Sequence, residues 1–124
     1  MAIGSVIYDE GSLLTNKMME ISMERQRVIS NNIANASTPG YTRMDVDFQK
    51  KLAEIVKSGD YSQLDGFKGK IIEDNDEAPR LDGNNVVLPN EMNEMMQNGV
   101  LYNLLSRAFN TRMSIIKSAI TTNG

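Results

Sequence analysis

Apolar residues recur every three or four positions over two long stretches of this chain, and the spacing breaks down between them. In the first stretch Leu14, Met18, Ile21, Val28, Ile29, Ile33 and Ala36 share a stripe, flanked by Met19 and Met23. The spacing is helical and close to a seven-residue repeat. A helix is therefore expected from an N-cap at Ser12 to about Ala36. Residues 1–11, with Gly4 and Gly11 either side of Val6-Ile7-Tyr8, read as a flexible lead-in. Arg25 stands where the stripe calls for an apolar side chain. The simpler reading runs its stem along the helix to water; the alternative pairs it with a carboxylate on a neighbouring helix. The methionines at 18, 19, 23 and 44 read as adaptable packing rather than a ligand set.

The second stretch opens with the short apolar run Val86-Val87-Leu88. Pro89 suits a first helical turn, and Glu91 sets an acid at the positive end of the helix dipole. From there to about Thr121 only Gly99 weakens the helix, at about 1 kcal/mol. One stripe comprises Met92, Met95, Gly99, Tyr102, Phe109, Met113, Ile116 and Ile120, and is assigned to the first helix. A second comprises Met96, Leu101, Leu104, Leu105, Ala108, Ile115 and Ala119. Together they cover more than half the circumference of a helix roughly 48 Å long. The first helix can cover one of these faces, so the other is expected to meet a different partner.

Between the helices Met44, Val46 and Phe48 alternate with charged residues, as in an extended strand. Phe48, Leu52, Ile55 and Val56 then fall on one side of a short helix ending near Ser58-Gly59. From Asp60 to Asn85 the composition is that of loops, with Lys70-Ile71-Ile72-Glu73 as a short strand. Met44 to Asn85 carries ten acids and six bases, net −4. Asp74, Asp76 and Glu77 crowd together, but without the glycine and terminal glutamate of a calcium loop they read as a solvated acidic turn. The expected fold is mainly α: two long terminal helices packed as a coiled-coil-like hairpin around a small irregular middle. The divisions are a lead-in at 1–11, helix and junction at 12–43, an acidic middle at 44–88 and a C-terminal helix at 89–124.

Composition narrows the chemistry. The chain has 124 residues, 40% hydrophobic with seven aromatics, so its core is thin. A net charge of −3 without a basic stripe argues against a nucleic-acid partner. No run approaches the roughly 20 apolar residues of a membrane span. Met1-Ala2-Ile3-Gly4-Ser5 lacks a basic and apolar leader, so secretion by the usual signal route is not expected. With no cysteine and no histidine, disulfides, thiolate nucleophiles, His bases and most zinc sites are excluded. No acid, base and nucleophile converge in the pattern, so neither an enzyme nor a cofactor is expected.

The densest local signal is Asn31-Asn32-Ile33-Ala34-Asn35-Ala36-Ser37-Thr38-Pro39-Gly40-Tyr41, where the first helix must stop. Asparagine is a mediocre helix former because its amide competes for backbone groups. Asn31 and Asn35 stack on one face; the segment reads either as an ordinary helix end with a polar C-terminus or as a fixed junction whose amides hold the turn. Thr38 precedes proline and is pushed to an extended conformation, while Pro39 and Gly40 suit the central positions of a type II turn. Tyr41 is then set to pack back on the helix.

This motif resembles the signature of the bacterial flagellar rod and hook proteins. Leu81-Asp82-Gly83-Asn84-Asn85-Val86, then Glu91-Met92, Asn98 and Tyr102, is similar to the C-terminal half of the family's short proximal rod members. The likeness spans residues 12–48 and 80–122. Pro89 departs from it, standing where many relatives carry an acidic cap. The resemblance implies a structural subunit exported by the flagellar type III apparatus without a cleaved signal, and assembled into the periplasmic rod of the basal body. That rod is a hollow axial shaft that transmits motor torque and passes exported subunits. The implied neighbours are other rod subunits, the rod adaptor protein, the membrane-ring protein and the export gate. Leu14, Met18, Ile21, Val28, Ile29, Ile33, Tyr102, Leu104, Leu105, Phe109, Met113, Ile115, Ile116 and Ile120 would form the helix-packing and subunit interfaces. The alternatives are another short rod protein of the family or, in a different class, a small helical export chaperone or adaptor.

Overall fold

The computed structural model describes residues 9–122. Most of the lead-in, residues 1–8, lies outside the described residues. In chain order the elements are α1 (Glu10–Ala34), β1 (Met44–Asp47), α2 (Gln49–Ser58), a 3-10 turn (Tyr61–Leu64), β2 (Lys70–Glu73) and α3 (Leu88–Thr122). The chain is mainly helical, and its two long terminal helices pack together beside a small mixed middle.

The start of α1 differs from the expected one. Asp9, not Ser12, is the N-cap: its carboxylate accepts the Ser12 N–H at 2.8 Å. Ser12 is buried inside the first turn. Gly11 lies inside the helix, and the Arg112 guanidinium sits 2.7 Å from where its Cβ would stand. That guanidinium reaches Asp9 at 2.5 Å, tying the first turn of α1 to α3. At the other end α1 stops at Ala34, two residues early, where the Asn35 N–H turns back to Asn31 and Asn32 carbonyls.

The middle is more organised than a loop. β1 and β2 pair antiparallel, with Met44 opposite Glu73 and Asp47 opposite Lys70. Gly69 is required beside this pair, since a Cβ there would fall 2.4 Å from the Val46 side chain. α2 buries Leu52 and Ile55 and ends at Gly59 in the left-handed conformation, φ 74°, which glycine adopts without steric cost. The 3-10 turn, in a stretch expected to be loop, carries Leu64 into the core.

Two hydrophobic clusters hold these pieces. Ile21, Val28 and Val46 form one; Leu52, Ile55 and Leu64, with Leu14 and Met18 against them, form the other. Phe48 and Phe67 touch both. Each buried aliphatic stabilises by about 1.5–3 kcal/mol. The apolar residues of α1 thus largely face the middle segment, and neither cluster includes a described residue of α3. The α1–α3 seam is instead substantially polar. Ser22 Oγ donates to Asn98 Oδ1 at 3.0 Å, and Asn98 Nδ2 donates to the Ser22 carbonyl at 2.8 Å and to Gln26 Oε1 at 2.9 Å. Arg25 does not snorkel to water: it pairs with Glu94 of α3 at 3.2 Å. These pairs, with Asp9–Arg112, set the two helices antiparallel. α3 continues ten residues beyond Arg112.

Candidate functional site

The Asn-rich junction is built around Asn32, which is fully buried. It occupies the α1 stripe seven residues after Arg25, so its amide points inward. Asn32 Oδ1 accepts the Tyr41 hydroxyl and the Met44 N–H, both at 2.9 Å, and its Nδ2 donates to the Met44 carbonyl at 2.8 Å. One side chain therefore sews the start of β1 to the end of α1 and engages Tyr41. Asn31 is exposed and contributes its carbonyl, capped by Asn35 Nδ2 at 2.8 Å. The Tyr41 N–H closes back on the Thr38 carbonyl at 3.3 Å, with Gly40 at φ 75°. That is type II geometry, with Pro39 and Gly40 at its centre.

Behind Asn32 lies an ion network that pattern reading missed. Arg43 is buried, and its Nε donates to the buried Glu91 carboxylate at 2.5 Å. Nη1 of Arg43 pairs with Asp74, and Glu91 also accepts from Asn32 Nδ2 at 3.2 Å. Burial by itself would lower the Arg43 pKa; the hydrogen bond and charge of Glu91, with Asp74 and Asp45, outweigh it and hold the guanidinium firmly charged. Burial, and then the Glu91 charge, raise the Tyr41 phenol. Glu91 is thus a buried counter-ion as well as an acid at a helix start. Asp74 is part of this network rather than of a freely solvated turn.

The second motif clasps the first. Asn84 is fully buried; its Nδ2 donates to the Asn35 carbonyl at 2.8 Å and the Thr38 carbonyl at 2.9 Å. Asn85 Oδ1 accepts the Arg43 N–H at 2.7 Å. Gly40 N–H donates to the Asp82 carbonyl at 2.8 Å, and Arg80 reaches the Ala36 carbonyl at 2.7 Å and the Val86 carbonyl at 2.6 Å. Gly83, at φ 84°, lies so close that a Cβ would stand 3.2 Å from Gly40 Cα. The two glycine turns meet backbone to backbone.

The helix-packing residues divide by exposure. Leu14, Met18, Ile21 and Val28 serve the core clusters, Ile29 is buried and Ile33 half-buried. On α3, Tyr102, Leu105, Phe109, Met113 and Ile116 are half-buried. Leu105 is seven residues from Asn98 and so belongs to the α1-facing phase, not the outer stripe expected for it. Met92 and Ile120, expected inside, are exposed. Met96, Val100, Leu104 and Ile115 are 72%, 61%, 59% and 64% exposed, an apolar ridge that the rest of the described chain does not cover. No helix among the described residues is long and apolar enough to cross a membrane.

The polar junction locks two chain-distant motifs together, beside a long helix whose apolar ridge the rest of the described chain leaves uncovered. Residues 23–42, from mid-α1 through the turn, match the family described as Flagella basal body rod protein. Among the relatives this chain matches are several named flagellar basal body rod protein FlgB. That of Bacillus subtilis is 34% identical over 107 residues, 78% of this chain and 82% of the relative. Those of Borrelia hermsii (29% over 118 residues, 81% and 87% covered) and Cereibacter sphaeroides (30% over 105 residues, 77% and 82% covered) extend the likeness. The chain belongs to the FlgB family of flagellar basal body rod proteins.

Proposed function

We propose that the chain is a structural subunit of the proximal rod, self-assembling through its terminal helices into the hollow shaft that carries torque and passes exported subunits. The observation that supports this is the apolar ridge of α3, Met96, Val100, Leu104 and Ile115, left exposed by the chain's own fold. Its neighbours in this reading are other rod subunits, the rod adaptor protein, the membrane-ring protein and the export gate. In this reading it reaches its periplasmic place through the flagellar type III apparatus. No catalysis is proposed; the junction's role is to keep the turn after α1 rigid under load.

The test compares lysines on two faces of α3. Leu104→Lys and Ile115→Lys leave the lysine in water in the free subunit, so helix content and export stay as in the parent, while incorporation into basal bodies and swimming are lost. Leu105→Lys and Phe109→Lys sit on the half-buried face, where an unpaired lysine is costly, and lower helix content in the free subunit itself. Swimming at the parental rate with Leu104→Lys and Ile115→Lys together would remove the ridge from the assembly. A chain found as a stable cytosolic dimer and absent from basal bodies would replace the rod subunit by the export adaptor.

A further inference from the structure

Leu81 stands at the tip of the turn that the Gly83 N–H closes on the Arg80 carbonyl at 2.9 Å. Its side chain is fully exposed, and among the described residues it is the one exposed large apolar side chain outside a helix or strand. Turn tips favour Gly, Pro, Asn, Asp or Ser, and a leucine in water gains nothing from the free fold. The turn is nonetheless held rigidly. The Arg80 guanidinium binds the Ala36 and Val86 carbonyls, and the Asp82 carbonyl accepts the Gly40 N–H. An apolar knob fixed in place before contact loses little entropy when it docks.

We infer that Leu81 seats in the apolar groove between α1 and α2 of a second copy of the chain. The inference rests on the rod-subunit reading and assigns a contact made by the middle segment, separate from the exposed ridge of α3. The groove holds about 390 Å³ and is floored by Leu14 and Met18 of α1 and Leu52 and Val56 of α2, with Lys57 at its edge. Charge selects the occupant. Residues 73–82 hold five acids and one base, net −4. Asp74 and Asp82 are paired with Arg43 and Arg80, which leaves Glu73, Asp76 and Glu77. On α2 Lys51 faces Glu54, which leaves Lys50 and Lys57, seven apart on one face. The other exposed apolar side chains match these lysines less well. Residues 95–106 of α3 carry no charge, and Leu13 and Met23 of α1 stand among charges of both signs. Knob and groove are different patches of one chain, so the contact is head-to-tail and builds rings or open helical arrays rather than a two-fold dimer.

The chain has no cysteine, so Val56→Cys with Leu81→Cys gives a clean cross-link test in cells producing this variant as their sole copy. A disulfide needs Cβ atoms about 4 Å apart, and the fully exposed Leu81 has no such neighbour in its own chain. The expected result is a ladder of cross-linked subunits from oxidised basal bodies, and none from the dilute protein. In parallel, Leu81→Ser should leave the melting temperature of the free protein unchanged and abolish swimming. Asp76→Lys with Glu77→Lys should impair swimming, and adding Lys50→Glu with Lys57→Glu should restore it. Normal swimming with Leu81→Ser, no restoration by the exchanged charges, or basal bodies that contain the cysteine variant but give no 56–81 cross-link overturns the assignment while leaving the rod reading intact. A lower melting temperature with Leu81→Ser also overturns it, since the leucine would then serve the free fold. A cross-link from position 81 to a different protein gives the knob to that protein and removes the second copy. Absence of the unmodified chain from basal bodies defeats the rod reading itself.

Discussion

Replacing Glu91 by glutamine keeps the size of the side chain and removes its charge. In the native fold both ends of the Glu91–Arg43 pair are buried, the side chains 2% and 9% exposed, and Arg43 Nε stands 2.5 Å from the carboxylate. Removing one partner of such a pair typically costs about 3–5 kcal/mol, because the remaining charge is left uncompensated. Arg43 retains Asp74 in this case. The glutamine can also turn its oxygen toward either Arg43 or Asn32, though not serve both as two carboxylate oxygens do. The expected loss is therefore at the lower end, about 2–3 kcal/mol. For a domain of this size each kcal/mol lowers the melting temperature by roughly 3–6 °C, so Glu91→Gln should melt at least about 6 °C below the parent. Urea titration followed by circular dichroism gives the free energy directly. Arg43→Met should cost as much or more, since it leaves both Glu91 and Asp74 without their cation. The double variant with Glu91→Leu should be milder than the sum of the single changes. A loss below about 1 kcal/mol for Glu91→Gln would put the pair in the range of exposed ion pairs and refute its role as the centre of the junction.

The Arg25–Glu94 pair is only partly buried, so Arg25→Met should cost no more than about 1 kcal/mol by the same titration; a larger loss would make it a structural centre of the seam. Gly83→Ala and Gly59→Ala impose the same left-handed φ, at about 1–2 kcal/mol each, but only the Gly83 Cβ meets backbone, at Gly40. Gly83→Ala should therefore be the more damaging, and equal losses would argue that the two turns separate freely. The Asp9 carboxyl is lowered from 3.8 to about 2, first by the hydrogen bond from Arg112 and then by those from Ser12. A depressed native pKa stabilises above the unfolded value and fades as pH falls through the folded one. The helix content lost by Asp9→Asn relative to the parent should thus be full above about pH 4 and shrink toward pH 2; a pH-independent difference would detach the bridge from this effect.

The helices, the short amphipathic α2 and the Pro39-Gly40 turn were legible because their causes are local: a spacing of three and four, a left-handed glycine, a proline of fixed φ. The start of α1 was not, because the Asp9 cap competes with a plausible Ser12 cap, and the Arg112 bridge that favours Asp9 comes from the far end of the chain. The junction was located, with Asn32 in it, but the pattern did not single out which amide is buried. Asn31 and Asn35 stand out in the motif, whereas the buried amide is that of Asn32. The signal for it was phase: Arg25 and Asn32 are seven apart on α1, as Glu91 and Asn98 are on α3, and together they mark a polar seam. Leu105 was assigned to the wrong stripe because two broad apolar stripes on one helix leave its phase ambiguous. The buried roles of Arg43, Asn84 and Asn85 depend on partners across 31 to 49 residues of chain, beyond any local pattern.

The clasp between the two glycine turns has a consequence for the order in which the chain can become structured. Every bond that closes it joins residues from the two halves: Asn32 to Glu91 across 59 positions, Arg43 to Glu91 across 48, Asn84 to Asn35 across 49. A polypeptide delivered end first, from a ribosome or through a narrow conduit, cannot form any of them until the later half has emerged. Until then Asn32, Arg43 and the carbonyls of the Asn35–Thr38 turn are hydrated, and the entropy of closing a long loop opposes their early burial. Once Glu91 arrives the contacts close together, because Asn32 and Arg43 grip the same carboxylate. Spreading the lock over two distant stretches makes rigidity a property of the completed chain, so a partly delivered subunit stays pliable while a finished one sets.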